Sequence, residues 1–279
     1  MTILVTGATG AVGRHLVDVL VKRGEKVRAV SRTPQSAALP DGVEVVGPDV
    51  TPELVDGVDR VFVFPTGAQQ VADLVTAAGE SRFVVLSSLA AAGELPREVR
   101  SASYAHHRAI EQAVTSRTGE WTILRPGTFA NNLLSWAWPI KAGMPVRAPY
   151  IKSAQPPIHE ADIADAAATA LLQDGHIGQF YPLTGPESLT RIEQVAAIGA
   201  GLGRHLDLVE ISPDEFRADV ARFIPEDIIV MLLEYWSETV TAPDPVRSGV
   251  PDLTGAPGRT LEQWARDHRA DFGQAQPGR

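Results

Sequence analysis

Short runs of apolar, largely β-branched residues punctuate the first half of the chain, and amphipathic stretches separate them. Residues 1–6, 26–30, 43–46, 60–64, 82–86 and 121–125 read as strands. Residues 14–24, 69–78 and 103–117 carry apolar positions at helical spacing. Strands that are apolar on both pleat faces and alternate with helices predict an α/β fold. The expected architecture is a doubly wound parallel sheet covered on both sides. Ligands of such sheets bind beyond the C-terminal strand ends. Those ends carry Gly7, Ser31 with Arg32, Phe64 with Pro65 and Thr66, Ser87 with Ser88, and Arg125 with Pro126 and Gly127.

The second half changes character. Residues 129–155 hold Phe129, Trp136, Trp138, Met144 and Tyr150 among several prolines. Residues 162–172 predict an alanine-rich helix, and 179–185 a short strand that returns to the sheet. Further helices are expected over 191–200, 228–236 and 260–272. The late aromatics suggest a lid over an apolar, aromatic-lined pocket for a small-molecule substrate. The expected division is a nucleotide-binding core over 1–128, joined by 155–185, and a substrate region over 129–154 and 186–279. There are no internal repeats, and 274–279 read as a disordered tail.

The segment Thr6-Gly-Ala-Thr-Gly-Ala-Val-Gly13 lies between the first strand and the first helix. Strand, glycine turn and helix are the context that a dinucleotide-binding loop requires. Gly7 suits a tight turn, Gly10 lets a pyrophosphate approach the backbone, and Gly13 lets the helix pack closely. Thr9 and Val12 belong to the same cradle. The phosphates would sit on the helix N-terminus, where free N–H groups and the dipole favour negative charge. The second strand ends in Ser31 and Arg32, where a cofactor without a 2′-phosphate usually meets an acid. A hydroxyl and a guanidinium suit a 2′-phosphate, so NADP(H) is expected over NAD(H). Asp49 and Val50, after the third strand, are placed to meet the adenine.

Composition narrows the alternatives. The 279 residues are 44% hydrophobic with a formal net charge of −9, which argues against nucleic acid or an anionic membrane as partner. The absence of cysteine excludes disulfides, thiolate catalysis and Cys-ligated metals. His159, Glu160 and Asp162 resemble a metal cluster only in composition, and no metal is expected. There is no Gly-x-Ser-x-Gly, hence no sign of a hydrolase. The first strand begins almost at Met1, and no apolar run is long enough to span a bilayer. A cytoplasmic monomer or homodimer is the expectation.

The segments TGATGAVGRHLV, VLSS, HRAIEQAV, WTILRPGTFANNLL, PPIHEADIADAAATALL, YPLTGPESLT and TGAPGRTLEQWARDH, taken together, span nearly the whole chain. In combination they resemble the atypical short-chain dehydrogenase/reductases that include NmrA-like regulators and NAD(P)H:quinone oxidoreductase-like enzymes. The resemblance implies a Rossmann-type domain with a smaller C-terminal substrate region, and NADP(H) as cofactor. It also implies, in many members, reduction of small organic substrates: a quinone, enone, imine or ketone. The alternative it leaves open is a non-catalytic, redox-sensing regulator that binds NADP(H).

Members of the wider superfamily carry Tyr-x-x-x-Lys on the helix after the fifth strand, the tyrosine as proton donor and the lysine on the ribose. Here that pattern reads Tyr104 to Arg108. The two are four apart on one helix face, and Arg108 could hold the ribose and favour tyrosinate. It cannot relay a proton as lysine can. In a second register, that of the quinone-reductase-like relatives, a histidine stands four residues before a glutamate, which maps onto His107 and Glu111. There His107 is the donor or orienter. Ser87 and Ser88 would bind nicotinamide or a substrate carbonyl, or cap the strand end. Asn131 and Asn132 face a pocket or cap a helix.

Overall fold

The computed structural model describes residues 1–273, so the tail expected over 274–279 lies outside the described residues. The chain divides into two compact units. The first comprises Met1–Gly127, Glu160–Leu183 and Ser248–Pro257; the second comprises Thr128–His159, Thr184–Arg247 and Gly258–Arg279. Residues 155–159 and 184–185, expected with the nucleotide-binding core, fall in the second unit. Ser248–Pro257, expected with the substrate region, joins the first, because its helix packs on the last strand of the sheet and on the alanine-rich helix.

The elements of the first unit alternate as expected. They are β1 (Thr2–Val5), α1 (Ala11–Lys22), β2 (Lys26–Val30), β3 (Glu44–Val46), α2 (Pro52–Val55), β4 (Arg60–Val63), α3 (Ala68–Ala78), β5 (Arg82–Leu86), α4 (Pro96–Arg100), α5 (Ala102–Thr115) and β6 (Trp121–Pro126). The second unit then contributes α6 (Ala137–Lys141), β7 (Val146–Ala148) and β8 (Ala154–Gln155). The first unit resumes with α7 (Glu160–Leu172) and β9 (Gln179–Leu183). The second continues with β10 (Leu189–Thr190), α8 (Arg191–Leu202), β11 (Leu208–Glu210), α9 (Pro213–Val220) and α10 (Glu226–Thr241). Last come α11 (Gly249–Thr254) of the first unit and α12 (Leu261–Asp267) of the second.

Among the described residues the first unit holds a seven-stranded sheet in the order β3-β2-β1-β4-β5-β6-β9, every neighbouring pair parallel. The order reverses between β1 and β4, the switch point at which such sheets open a crevice. Ile3, Leu4, Val5, Val61, Phe62, Phe83, Val84 and Val85 are all fully buried, as strands covered on both faces must be. One layer is α3 with α5, whose Val71, Leu74, Val75, Ile110 and Val114 pack on Leu4, Val61, Val63, Phe83, Val85 and Ile123. The other is α1 packed against α7. Helix α7 is buried almost all round, and its alanines permit that close approach. Helix α1 presents Val12, Leu16, Val17 and Leu20 at helical spacing and stops before Gly24, whose φ is +80°.

In the second unit, Trp136, Ile140, Val146, Val195, Ile198, Leu202, Leu261, Trp264 and Phe272 form the core. Its strands are two or three residues long, pairing β10 with β8 and β11 with β7.

A buried polar hub ties three strands and a helix of the first unit. Glu111 on α5 is 2% exposed. Arg125 of β6 donates to it in a fork, Nε to Oε1 at 2.8 Å and Nη2 to Oε2 at 2.7 Å. Ser87, one residue past β5, donates to Oε1 at 2.7 Å. The Arg125 guanidinium stacks 4.2 Å over the Phe180 ring of β9. Charge and hydrogen-bond capacity are thus met locally.

Two outcomes test this account. An added Cβ on Gly13 would stand 2.2 Å from the Gly7 carbonyl oxygen, whereas on Gly10 it meets that oxygen at 3.3 Å. Gly10 also has φ −77° and ψ 173°, which a branched residue adopts readily. Gly13→Ala therefore loses about 3 kcal/mol by overpacking, while Gly10→Val melts close to wild type, as differential scanning calorimetry would report. Glu111→Gln leaves Arg125 buried without its counter-charge and costs about 3 kcal/mol in urea denaturation. Adding Arg125→Met to Glu111→Leu recovers much of the loss seen with Glu111→Leu alone.

Candidate active site

At the switch point of the first unit lies a cleft of about 1290 Å³. Its walls are the glycine loop, the ends of β1, β2 and β4, the segment after β3, and one side of α3. Of the residues singled out from sequence, Gly7, Thr9, Gly10, Ser31, Arg32, Asp49, Val50 and Thr66 line it.

The glycine loop is built by close backbone approach. Gly7 has φ +64°, and the Phe64 ring lies 2.7 Å from where a Cβ would stand. The Gly10 N–H donates to the Gly7 carbonyl at 3.0 Å. Helix α1 starts at Ala11, three residues earlier than the sequence pattern suggests, so Val12 and Gly13 lie inside its first turn. Gly10 caps it without a side-chain hydrogen bond, and no acid stands in the first turn. The cradle therefore keeps its N–H groups and its positive end for an anion. The Thr6 hydroxyl donates to the Phe62 carbonyl at 3.0 Å and accepts from the Phe64 N–H at 2.7 Å, which fixes β1 against β4. The Arg14 guanidinium donates to the carbonyls of Thr9, Ala37 and Ala38, holding the loop to the segment after β2.

At the end of β2, Ser31 is buried and accepts from the Thr33 N–H at 3.1 Å, so its own O–H is left to donate. The exposed Arg32 makes no hydrogen bond or ion pair among the described residues. A hydroxyl donor and an uncommitted guanidinium side by side, with no acid between them, fit a 2′-phosphate. Phe64, 40% exposed over Gly7, and Gln70, Asp73 and Thr76 of α3 complete the walls. Sequence reasoning placed Phe64 at a strand end facing the ligand crevice but did not single out the three residues of α3. An exposed aromatic at a strand end, beside a required glycine, was the one signal available.

The residues assigned to chemistry lie outside the lining of this cleft, as do Pro65 and Pro126. Pro126 ends β6, and the Pro65 carbonyl stands 3.3 Å from His106 Nε2. Ser87 donates its hydroxyl to Glu111 and is 4% exposed, so it serves the buried hub instead of offering itself to a ligand. Ser88 accepts from the Ala90 N–H at 3.3 Å and caps a short 3-10 turn, the capping role weighed above. The Tyr104 ring packs over Gly93, and its hydroxyl makes no hydrogen bond among the described residues. Arg108 turns to Glu111 at 3.4 Å. Although Tyr104 and Arg108 share a helix, no contact joins their polar ends among the described residues.

His107 is the best-defined group on α5. Its Nδ1 lies 2.9 Å from the Ser103 carbonyl oxygen and 3.1 Å from the Ser103 hydroxyl. A carbonyl only accepts, so Nδ1 carries the proton and Nε2 keeps its lone pair. Burial lowers the His107 pKa below its usual value, His106 adds to the lowering, and the Ser103 carbonyl and Glu111 oppose it. At neutral pH the ring is uncharged. Its outward nitrogen is an acceptor.

Of the remaining candidates, Asn131 accepts from the Trp264 indole at 3.2 Å. The backbone N–H of Asn132 donates to the Phe129 carbonyl. His159 pairs with Asp267 at 3.3 Å and Glu160 with His15 at 3.6 Å.

Comparison with known proteins agrees with the geometry. Residues 7–174 match the NAD(P)H-binding family. The chain is similar to the (4-alkanoyl-5-oxo-2,5-dihydrofuran-3-yl)methyl phosphate reductase of Streptomyces griseus, 36% identical over 97% of this chain and 99% of that protein. It is also similar to the NAD(P)H azoreductase of Xenophilus azovorans, 31% identical over 98% of this chain and 100% of that protein. Among solved structures, the fold resembles the triphenylmethane reductase of Citrobacter sp., with TM-score 0.79 and 20% identity over 98% of this chain and 100% of that one. It also resembles the NADPH-dependent quinone oxidoreductase of Escherichia coli, with TM-score 0.76 and 23% identity over 95% and 98% of the two chains. Rossmann-type sheet, glycine cradle and full-length likeness to reductases together identify an NAD(P)H-dependent oxidoreductase, and this chain belongs to the NAD(P)H-binding family of atypical short-chain dehydrogenase/reductases.

Proposed function

We propose that the protein uses NADPH to reduce a conjugated, electron-poor acceptor, such as a quinone, an enone or an imine-like double bond, in preference to a simple ketone. The observation that carries this reading is the absence of an activated acid on α5. Among the described residues the Tyr104 hydroxyl has no partner, Arg108 is turned to Glu111, and His107 is held neutral, its Nδ1–H donating to the Ser103 carbonyl. A simple ketone needs a proton donor as the alkoxide develops; a conjugated acceptor spreads that charge over its π system and needs less help. The names of the relatives support this, since a 5-oxo-2,5-dihydrofuran, an azo compound and a quinone are all conjugated acceptors.

In this reading bound NADPH supplies a hydride, and the acceptor takes its proton from water. The cradle of Gly7, Thr9, Gly10, Val12 and Gly13 holds the pyrophosphate. Ser31 and Arg32 read the 2′-phosphate, and Asp49 and Val50 flank the adenine. Thr66 lies along the same cleft, with Pro65 beside it and Pro126 at the end of β6. His107 Nε2 orients a water by accepting a hydrogen bond from it, and the relatives' reductase names favour this catalytic reading over a regulator.

Three measurements follow from these assignments. Isothermal titration is expected to give tighter binding of NADPH than of NADH. Arg32→Ala removes ~1–3 kcal/mol of that preference, and equal affinity of the wild type for both cofactors rejects the Arg32 assignment. Gly10→Val, folded as argued above, loses both cofactors.

Steady-state reduction of a quinone or enone is expected to fall less than about tenfold in Tyr104→Phe, against the ~10²–10⁴ typical of a lost general acid. With His107 acting neutral, the rate stays flat above about pH 7 and changes only below the ordinary histidine pKa of 6.5, because burial has lowered it. A rate that climbs steadily as pH falls from 8.5 to 6.5 would mean that His107 acts as its cation.

A further inference from the structure

Helix α8 of the second unit opens with Arg191, which is 5% exposed. Its guanidinium carbon stands 3.8 Å over the Trp236 ring and 5.9 Å from the centre of the Trp136 ring. Its Nε is sealed from solvent without a hydrogen-bond partner, and neither terminal nitrogen makes a hydrogen bond or ion pair among the described residues. Burial draws its pKa down to about 10, so the group remains charged at neutral pH.

Three other arginines of this unit have their donors met. Arg147 faces Asp219 at 3.2 Å, Arg204 donates to the Ile140 carbonyl, and Arg269 donates twice to the Gly201 carbonyl. The carboxylate of Asp244 is taken by the Tyr235 hydroxyl, which also meets Thr128 at 3.1 Å. Stacking on indole stabilises a cation, but by less than the cost of taking an unpaired one out of water. It also uses only the face of the guanidinium. The N–H donors radiate in the plane, where they fork onto carboxylate or phosphate oxygens. The cover is lightly held. Phe216 stands edge-on to Trp236 at 5.2 Å from α9, a helix that buries none of its residues.

We propose that the second unit binds an anionic group of the substrate, a carboxylate or phosphate monoester, through the Arg191 guanidinium held on Trp236. This rests on the reductase reading above for the identity of the ligand, and on Arg191 alone for the existence of the site. The anion supplies the missing counter-charge, and the indoles fix the plane in which the donors point.

The test uses full-length protein saturated with NADP⁺, so that phosphate subsites of the nucleotide cleft are filled. Inorganic phosphate is titrated while tryptophan emission and the melting temperature are followed. The wild type is expected to change emission, through Trp236, and to melt higher with phosphate. Arg191→Met is expected to show neither response and, without anion, to melt at or above wild type, since it removes an unpaired buried charge. Arg191→Lys keeps the charge without the fork and responds weakly. In kinetics, an enone carrying a phosphate monoester is compared with the same enone as its neutral alcohol. Arg191→Met should raise KM for the ester roughly 10- to 100-fold, with little change in kcat or in either parameter for the alcohol.

A wild type blind to phosphate, together with an Arg191→Met variant that melts well below it, would make Arg191 a structural cation and overturn the proposal. A phosphate response without discrimination between ester and alcohol overturns the assignment to substrate and leaves free anion as the ligand. Failure to reduce any enone or quinone strikes the reductase reading instead, and the phosphate titration still decides whether the site exists.

Discussion

The cleft of the first unit depends on one close contact, the Gly7 carbonyl against the first turn of α1. That oxygen accepts the Gly10 N–H and lies where a Cβ of Gly13 would stand. The approach draws the helix N-terminus over the end of β1 and aims its free N–H groups into the crevice at the switch point. Gly7 must adopt positive φ to make the turn, and Phe64 then fills the space that a side chain there would need. The hydroxyl of Thr6 stitches β1 to β4, and Arg14 fastens the same loop to the segment after β2. The contact is therefore a junction of three strands and a helix, and the cleft walls follow from it.

Much of this junction was legible in the sequence because its determinants are local. Apolar runs of strand length, helical spacing and a glycine loop at the β1–α1 turn each occupy fewer than about fifteen consecutive residues, the range over which such patterns carry information. The position of Ser31 and Arg32 at the end of β2, in the lining of the cleft, was legible for the same reason, since they follow directly from that strand. What was not legible is set by contacts between distant positions. Ser87 read as a ligand group because its partner, Glu111, lies 24 positions away. Arg108 read as a partner for Tyr104 because helix geometry allows it, yet the Glu111 carboxylate offers it an opposite charge at 3.4 Å. Phe64 and the α3 side of the cleft come together only when the sheet closes. In the second unit, strands two or three residues long have too few positions to show an alternation at all.

The two units handle a buried guanidinium in opposite ways. Arg125 carries its carboxylate with it: Glu111 accepts its fork, Ser87 adds a donor, and Phe180 covers the face. Such a cluster is electrically closed and has nothing left to offer a ligand. Arg191 has the aromatic face and lacks the carboxylate. Aromatic content alone does not separate these cases, and the late tryptophans read from sequence as the wall of an apolar pocket. Trp136 and Trp236 instead flank a charge, while Trp138 is 69% exposed. The difference between a structural cation and a binding cation lies in the acid that is missing.

That difference bears on the chemistry. An enzyme that lacks an activated acid has to accelerate hydride transfer by placement, with donor and acceptor atoms held at contact distance and in line. Placement draws on binding energy, and for a small conjugated substrate the reacting atoms themselves supply little of it. A charged group remote from the reacting bond is the natural source, because its interaction is strong, directional and unchanged by the reaction. A buried fork with no internal partner is suited to that task, since it loses little order when the anion arrives. On the proposed reading, the uncommitted Tyr104 and the neutral His107 of the first unit leave protonation to water, and the unpaired Arg191 gives the second unit a fork for an anion. The proton comes from water, the conjugated acceptor carries its own electron sink, and the protein's main contribution is to hold both reactants in place.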